Sequence, residues 1–356
     1  MRELMIRSVP DMCSSIPLLF ALISPFFLSN VAAECNQFST NGSTAARYDF
    51  YRFYDFRNLH ISGDSPSISA SSNGKSKIVA ATPWSSGWDS KNWHRPAAKE
   101  DTLPMQYAPS ELSISNNTDA PEQHSTYLTL HTTLLQDGTQ LAAELDYTEY
   151  NVTYASMRMS ARVHGARGAV AGFFTYHNDT NESDIEIMTG DPSSQVHYSN
   201  QPTTNPETDA SIPDATFNVS MAADASTSTW NVYRLDWVSN RSAWYLNGAQ
   251  SASTEVNVPG AESMLILNLW SNGGKFSGRM ETGDEAWFDI QWVELLFNTT
   301  ASASAPGGGT VCSAEHSPGS PVPSNASPFY CSWLYATYFW WLMGVVSVVC
   351  LNDCMC

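Results

Sequence analysis

Between Tyr48 and Thr300 apolar and polar residues alternate with a period of two, the pattern of strands that bury one face and wet the other. Met157-Arg158-Met159-Ser160-Ala161-Arg162-Val163 shows it most clearly. Further strands are predicted over 127–134, 169–176, 182–188, 195–201, 230–238, 263–269 and 286–297, separated by turn-rich loops such as Leu246-Asn247-Gly248. No long stretch carries the helical period, so many short strands predict an all-β chain folded as an antiparallel β-sandwich. The Ser-rich, Trp-containing segment 65–123 does not alternate and reads mostly as long loops over the sheet.

The pattern changes at both ends. Arg2 and Arg7 precede an apolar run from Ile16 to Leu28, and Val31-Ala32-Ala33 then supplies small residues, the layout of a cleaved signal peptide over 1–33. Pro17 and Pro25 interrupt the run, which is short for a membrane span. After the body at 34–300, residues 301–328 collapse to Ser, Ala, Pro and Gly and read as a flexible linker. From 329 to 356 the chain forms a hydrophobic membrane-anchoring segment. Phe329 to Leu351 carries no charge and is long enough to span a bilayer. Two readings stay open: a retained helix, or the cleaved signal for a lipid anchor attached near Gly319, Ser320 or Asn325. Either places the body outside the cell, at the plasma membrane or wall.

Composition narrows the partners. The chain carries 17 Lys plus Arg against 35 Asp plus Glu, a net charge of -18, which repels nucleic acid and anionic lipid heads and leaves neutral polysaccharide open. Sequons at Asn41, Asn116, Asn151, Asn178, Asn181, Asn218, Asn240, Asn298 and Asn325 agree with secretion. Between Glu34 and Ala305 the only cysteine is Cys35, and the next is Cys312. These two can bridge the ends of the domain, or Cys312 can pair with Cys331 instead.

The chemistry concentrates in Asn181-Glu182-Ser183-Asp184-Ile185-Glu186-Ile187-Met188, whose acids stand at i, i+2 and i+4. In a strand all three share one face. Their mutual repulsion keeps at least one protonated near neutral pH, as a general acid requires. Residues four apart have Cα atoms ~13 Å apart; on a concave sheet, with each Glu leaning in by ~4 Å, the carboxyls approach ~5 Å, the spacing of a retaining double displacement. A solvated edge-strand face or a calcium site would use the same residues.

Glu182-x-Asp184-x-Glu186, preceded by Gly172-Phe173-Phe174-Thr175-Tyr176, resembles the active-site strand of glycoside hydrolase family 16, which includes lichenases, laminarinases and fungal wall-remodelling transglycosylases. The similarity continues in Trp237, Trp244-Tyr245-Leu246-Asn247-Gly248, Leu267-Asn268-Leu269-Trp270 and Phe288-Asp289-Ile290-Gln291-Trp292-Val293. It implies a concanavalin A-like jelly roll with a concave substrate-binding sheet. It further implies Glu182 as nucleophile, Glu186 as acid/base and Asp184 as assisting acid of a retaining β-glucanase or transglycosylase on β-1,3 or mixed-linkage glucans. Phe174, Tyr176, Asn268 and Trp270 match cleft positions. His197 and Gln201 would face the cleft, unless a one-residue slip substitutes Tyr198 and Asn200. His197 has no second His at ligand spacing, so no catalytic metal is expected and no cofactor is required, a structural calcium ion remaining open. Ser183 and Thr180 depart from the family pattern, and Ser183, facing between the sheets, needs a hydrogen-bond partner there. The expected partners are a neutral β-glucan and, through the C-terminal segment, a membrane, with the protein a monomer. A non-catalytic lectin-like ectodomain on the same fold is the alternative.

Overall fold

The computed structural model describes residues 35–59, 87–119, 124–222, 225–302, 310–315 and 318–322. The expected signal peptide (1–33), the expected anchoring segment (329–356) and part of the expected linker lie outside them.

Two antiparallel sheets face each other. The first runs in the order Thr216–Ser220, Gln195–Asn200, Asn181–Met188, Val170–Asn178, Met264–Trp270, Gln140–Tyr147 and Trp88–Ser90. The second runs Ala249–Thr254, Arg241–Leu246, Asn231–Val238, Val152–Gly165 and Glu285–Thr299. On the far edge of Glu285–Thr299, the first half pairs with Thr126–Leu134 and the second half with Phe50–Asp55, and Leu112–Asn116 follows Thr126–Leu134. Gln140–Tyr147 joins the sheets: its start pairs with Met105–Tyr107 and Thr126–Leu134, its end with Met264–Trp270.

Alternation explains the layering. Phe173, Ile185, Ile187, Tyr198 and Leu267 of the first sheet are buried in one core with Met157, Met159, Leu235, Trp237 and Phe288 of the second. Each such side chain contributes about 1.5–3 kcal/mol on burial. Tyr198 stacks on Trp244 across the sheets (5.5 Å between centroids, 13° between planes), and the Trp237 indole N–H donates to the Pro259 carbonyl (2.7 Å). Asn247 and Gly248 adopt φ of 49° and 84°, as the two-residue hairpin turn joining Arg241–Leu246 to Ala249–Thr254 requires.

One expectation gains detail and one changes. In segment 65–123, of which 87–119 are described, Trp88–Ser90, Trp93–Arg95, Met105–Tyr107 and Leu112–Asn116 are strands between the loops. Three-residue strands are too short to display a period, and they are held by long-range pairing. The expected end of the body at residue 300 moves. Thr310–Ser313 pairs in parallel with Cys35–Ser39, and Cys35 and Cys312 form a disulfide (Cα–Cα 5.6 Å), so the Cys312–Cys331 alternative does not form. Glu315 accepts from Arg158 (2.8 Å) and Arg234 (3.1 Å), Arg57 donates to the Gly319 carbonyl (2.6 Å), and the Val322 N–H donates to the Tyr51 hydroxyl (2.9 Å). Residues 310–315 and 318–322 therefore strap the body instead of leaving it as linker. Among the described residues no helix is long and apolar enough to cross a membrane.

Candidate active site

Asn181–Met188 has a neighbour on both edges, which fixes its register and hence its two faces. Ser183, Ile185 and Ile187 are buried between the sheets, while Glu182, Asp184 and Glu186 form part of the floor of a cleft of about 860 Å³. The inward Ser183 hydroxyl finds Ser242 Oγ at 3.4 Å, which supplies the partner its position demands.

Asp184 is 2% exposed and held from the next strand, where Ser199 Oγ donates to its Oδ2 (2.6 Å) and Gln201 Nε2 approaches the same oxygen (3.4 Å). Glu182 and Asp184 also share a hydrogen bond. Glu186 lies opposite Gly172 on one side and His197 on the other. Gly172 is there for space: a Cβ would stand 2.7 Å from Asn268 Oδ1 and 3.2 Å from the Phe174 ring.

Burial pushes all three carboxyls up. Glu182 rises furthest, first from burial and then from the charges of Asp184 and Glu186; Glu186 rises to about 8, from burial and then from Asp184. Asp184 is raised by burial against the opposing hydrogen bonds of Ser199, Glu182 and Gln201. At neutral pH the trio therefore carries fewer than three charges, with the donors converging on Asp184 holding negative charge there. Among the described residues no group of three or more His, Cys, Asp or Glu is arranged to hold a metal ion.

The cleft also takes in Phe174, Tyr176, Asn268 and Trp270. Phe174 and Tyr176 meet edge to face (6.5 Å), and Trp270 stacks on Phe276 (6.3 Å). Asn268 Oδ1 is buried with no hydrogen-bond partner among the described residues. No slip occurs on the neighbouring strand, since Tyr198 and Asn200 are fully buried and His197 and Ser199 pair with Glu186 and Asp184. Yet His197 does not line the cleft: its Nε2 is bonded to Asp191. Gln201 likewise turns to Asp184 and is not a lining residue. Thr180 is exposed, its hydroxyl donating to Asn178 Oδ1 (2.9 Å).

Sequence reasoning missed the opposite side. Trp93 stacks on Tyr107 (4.7 Å, 5° between planes), and its indole N–H donates to Glu144 (3.0 Å). Lys91 pairs with Asp146 (2.7 Å). Glu144 is pushed to about 7 by burial and then by Asp146, with Trp93 and Lys91 opposing. The signal was present in Leu141-Ala142-Ala143-Glu144-Leu145-Asp146, where two acids again stand two residues apart. Trp93, Tyr107 and Arg95 come from short strands joined to the site through long-range pairing, for which the sequence holds no periodic cue.

The chain is 30% identical to a Bacillus amyloliquefaciens beta-glucanase over 112 residues, a match spanning 30% of this chain and 43% of that protein. Among solved structures, it overlaps a Bacillus licheniformis beta-glucanase with a TM-score of 0.49 at 16% identity, covering 69% of this chain and 97% of that one. For a prokaryotic beta-1,3-1,4-glucanase (lichenase) from a mouse hindgut metagenome the TM-score is 0.47 at 15% identity, covering 70% and 99%. The sequence matches the profile of Glycosyl hydrolases family 16 over residues 108–293, more than half of its length and including the acid strand, and the chain belongs to that family.

Proposed function

We propose that this protein is a retaining hydrolase or transglycosylase of neutral β-glucans, β-1,3 or mixed-linkage. The observation that carries this reading is three carboxyls on one face of one strand, Asp184 buried and Glu182 and Glu186 half-buried, in a cleft lined by aromatic rings. Aromatic faces suit pyranose rings, and the cleft's Asn268 oxygen, without a partner among the described residues, suits a sugar hydroxyl.

In the free protein a proton is shared between Glu182 and Asp184, and Glu186 is protonated. As Glu182 attacks the anomeric carbon it gives its share of that proton to Asp184, while the glycosidic C–O bond breaks and its oxygen takes the proton of Glu186. Glu186, now a carboxylate, deprotonates water or a sugar hydroxyl. That oxygen attacks the same carbon and releases Glu182, giving net retention. Water as acceptor gives hydrolysis, and a sugar gives transfer. Incubation with β-gluco-oligosaccharides and analysis of product lengths tests the reading: shorter products alone mean hydrolysis, longer ones transfer, and none at all rejects it.

The protonated form of Glu186 is the one that works in the first step, so kcat/KM is expected to fall as pH rises through its raised pKa, about 8. An ordinary Glu would place that limb near ~4.3. A pH–rate profile whose alkaline limb lies in that lower range would remove Glu186 from the acid role. The same sign applies to stability. Carboxyls whose folded pKa is raised stabilise fully below their unfolded values, and the fold loses that contribution as pH rises through the folded ones.

Gly172→Ala is expected to lower kcat/KM about tenfold or more, because the added methyl drives against Asn268 and Phe174 beside Glu186. Kinetics on a soluble β-glucan, with circular dichroism as a check of fold, would measure it; unchanged kinetics would mean that the cleft is not shaped around this glycine.

We further propose an extracellular setting. The leader-like 1–33, the sequons and the Cys35–Cys312 disulfide all suit an oxidising compartment, with 329–356 as the membrane attachment.

A further inference from the structure

A second groove, of about 440 Å³, lies on the outer face of the other sheet, away from the acids. Its layout follows from strand register. Ser113, Thr129 and Asp289 stand in one row across three adjacent strands. His131 and Trp287 form the row on one side, and Ser115 and Tyr127 the row on the other. Rows two residues apart are ~6.7 Å apart, so a polar floor lies between an indole and a phenol ring with room for one pyranose.

The floor is built rather than incidental. Ser115 and Thr129 hydroxyls are 2.8 Å apart, and Thr129 donates to Asp289 (2.9 Å). Asp289, 2% exposed, also accepts from Arg162 (2.9 Å) and lies 3.0 Å from His164 Nε2. Imidazoles brace the indole from both sides: His164 stacks on Trp287 (5.3 Å) and His131 tilts against it (5.7 Å), itself held by Glu111 (2.7 Å). Tyr127 is 9% exposed with the Arg162 guanidinium 5.1 Å over its ring, so Trp287 is the open aromatic wall, and fixed hydroxyls beside it match a ligand that offers a C–H face at one end and hydroxyls next to it.

Charge removes anionic ligands. Glu111, Glu285 and Asp289 line the groove and, among the described residues, no Lys or Arg does, which disfavours phosphates, sulfates and uronates. These acids and histidines are not arranged to hold a metal ion. We propose that this groove binds a neutral sugar residue of a polysaccharide chain, as a second carbohydrate site separate from the cleft. A glycan seated there lies on the opposite sheet from Glu182, so its role is to hold the protein on a polymer and not to present a bond for cleavage.

The test is calorimetric titration of a β-1,3-gluco-hexasaccharide into the full chain carrying Glu182→Gln, which prevents turnover. Two binding events are expected. Ser113→Trp, which fills the groove, should weaken one by at least tenfold and leave the other, whereas Phe174→Ala should weaken only the event that Ser113→Trp spares. A parent in which no event is weakened by Ser113→Trp overturns the proposal. Loss of the Phe174-dependent event alone counts against the cleft reading and not against the groove. Hydrogen–deuterium exchange on the Glu182→Gln chain requires no groove substitution. Slowed exchange over 110–115 and 127–131 with the hexasaccharide supports the site, and slowing confined to 172–188 and 264–270 refutes it.

Discussion

Glu182→Gln is expected to lower kcat on a β-glucan by roughly 10⁴-fold or more, and Glu186→Gln by roughly 10²–10⁴-fold, with the fold unchanged. Both amides keep the size of the side chain and remove a step the chemistry cannot bypass. Asp184→Asn leaves attack and protonation available but removes the group that shares the Glu182 proton, so it should impair the enzyme less. Azide separates the two Glu roles. In Glu186→Ala, a substrate with an activated leaving group needs no acid, so the glycosyl-enzyme forms and azide can attack it without a base. The product is a β-glycosyl azide. In Glu182→Ala, azide replaces the nucleophile and gives the α-azide. Full activity in both alanine variants would instead remove Glu182 and Glu186 from the catalytic roles assigned to them.

What the sequence made legible here was what parity can carry. A period of two is sufficient to put Glu182, Asp184 and Glu186 on one face and Ser183 on the other, and the same parity puts Phe174 with Tyr176 and Asn268 with Trp270. Parity says which way a side chain leaves the sheet and nothing about what it meets there. His197 leaves on the cleft side and turns to Asp191, and Gln201 turns to Asp184. Trp93, Tyr107 and Glu144 illustrate the opposite limit: their contacts join strands brought together only by tertiary pairing. The strap at 310–315 and 318–322 was hidden for another reason. Its Ser, Pro and Gly composition is that of a linker, and the groups that dock it, Cys312 and Glu315, find partners 277 and 157 residues back in the chain.

That strap makes truncation after Thr300 costly. Cleaving the chain there, instead of after Val322, removes the Cys35–Cys312 link, whose sequence separation is 277. A loop that long restricts the unfolded chain strongly, about 5–6 kcal/mol in the chain-entropy view. Truncation also takes Glu315 from Arg158 and Arg234, whose side chains are only 9% and 11% exposed. Arg158 keeps Glu294 at 3.5 Å but loses the Ala314 carbonyl (2.9 Å), so a buried guanidinium is left short of acceptors. Ala314 and Val322 leave a small core shared with Tyr48 and Leu296. The shorter chain is therefore expected to melt roughly 10–20 °C below the one ending at Val322. Reductant should close only part of that gap, because Glu315 and the small core survive reduction. Cys312→Ser and Glu315→Gln in the longer chain measure the two parts separately. Equal melting temperatures for the two chains would show that the strap adds nothing to the fold and that the body does end at Thr300.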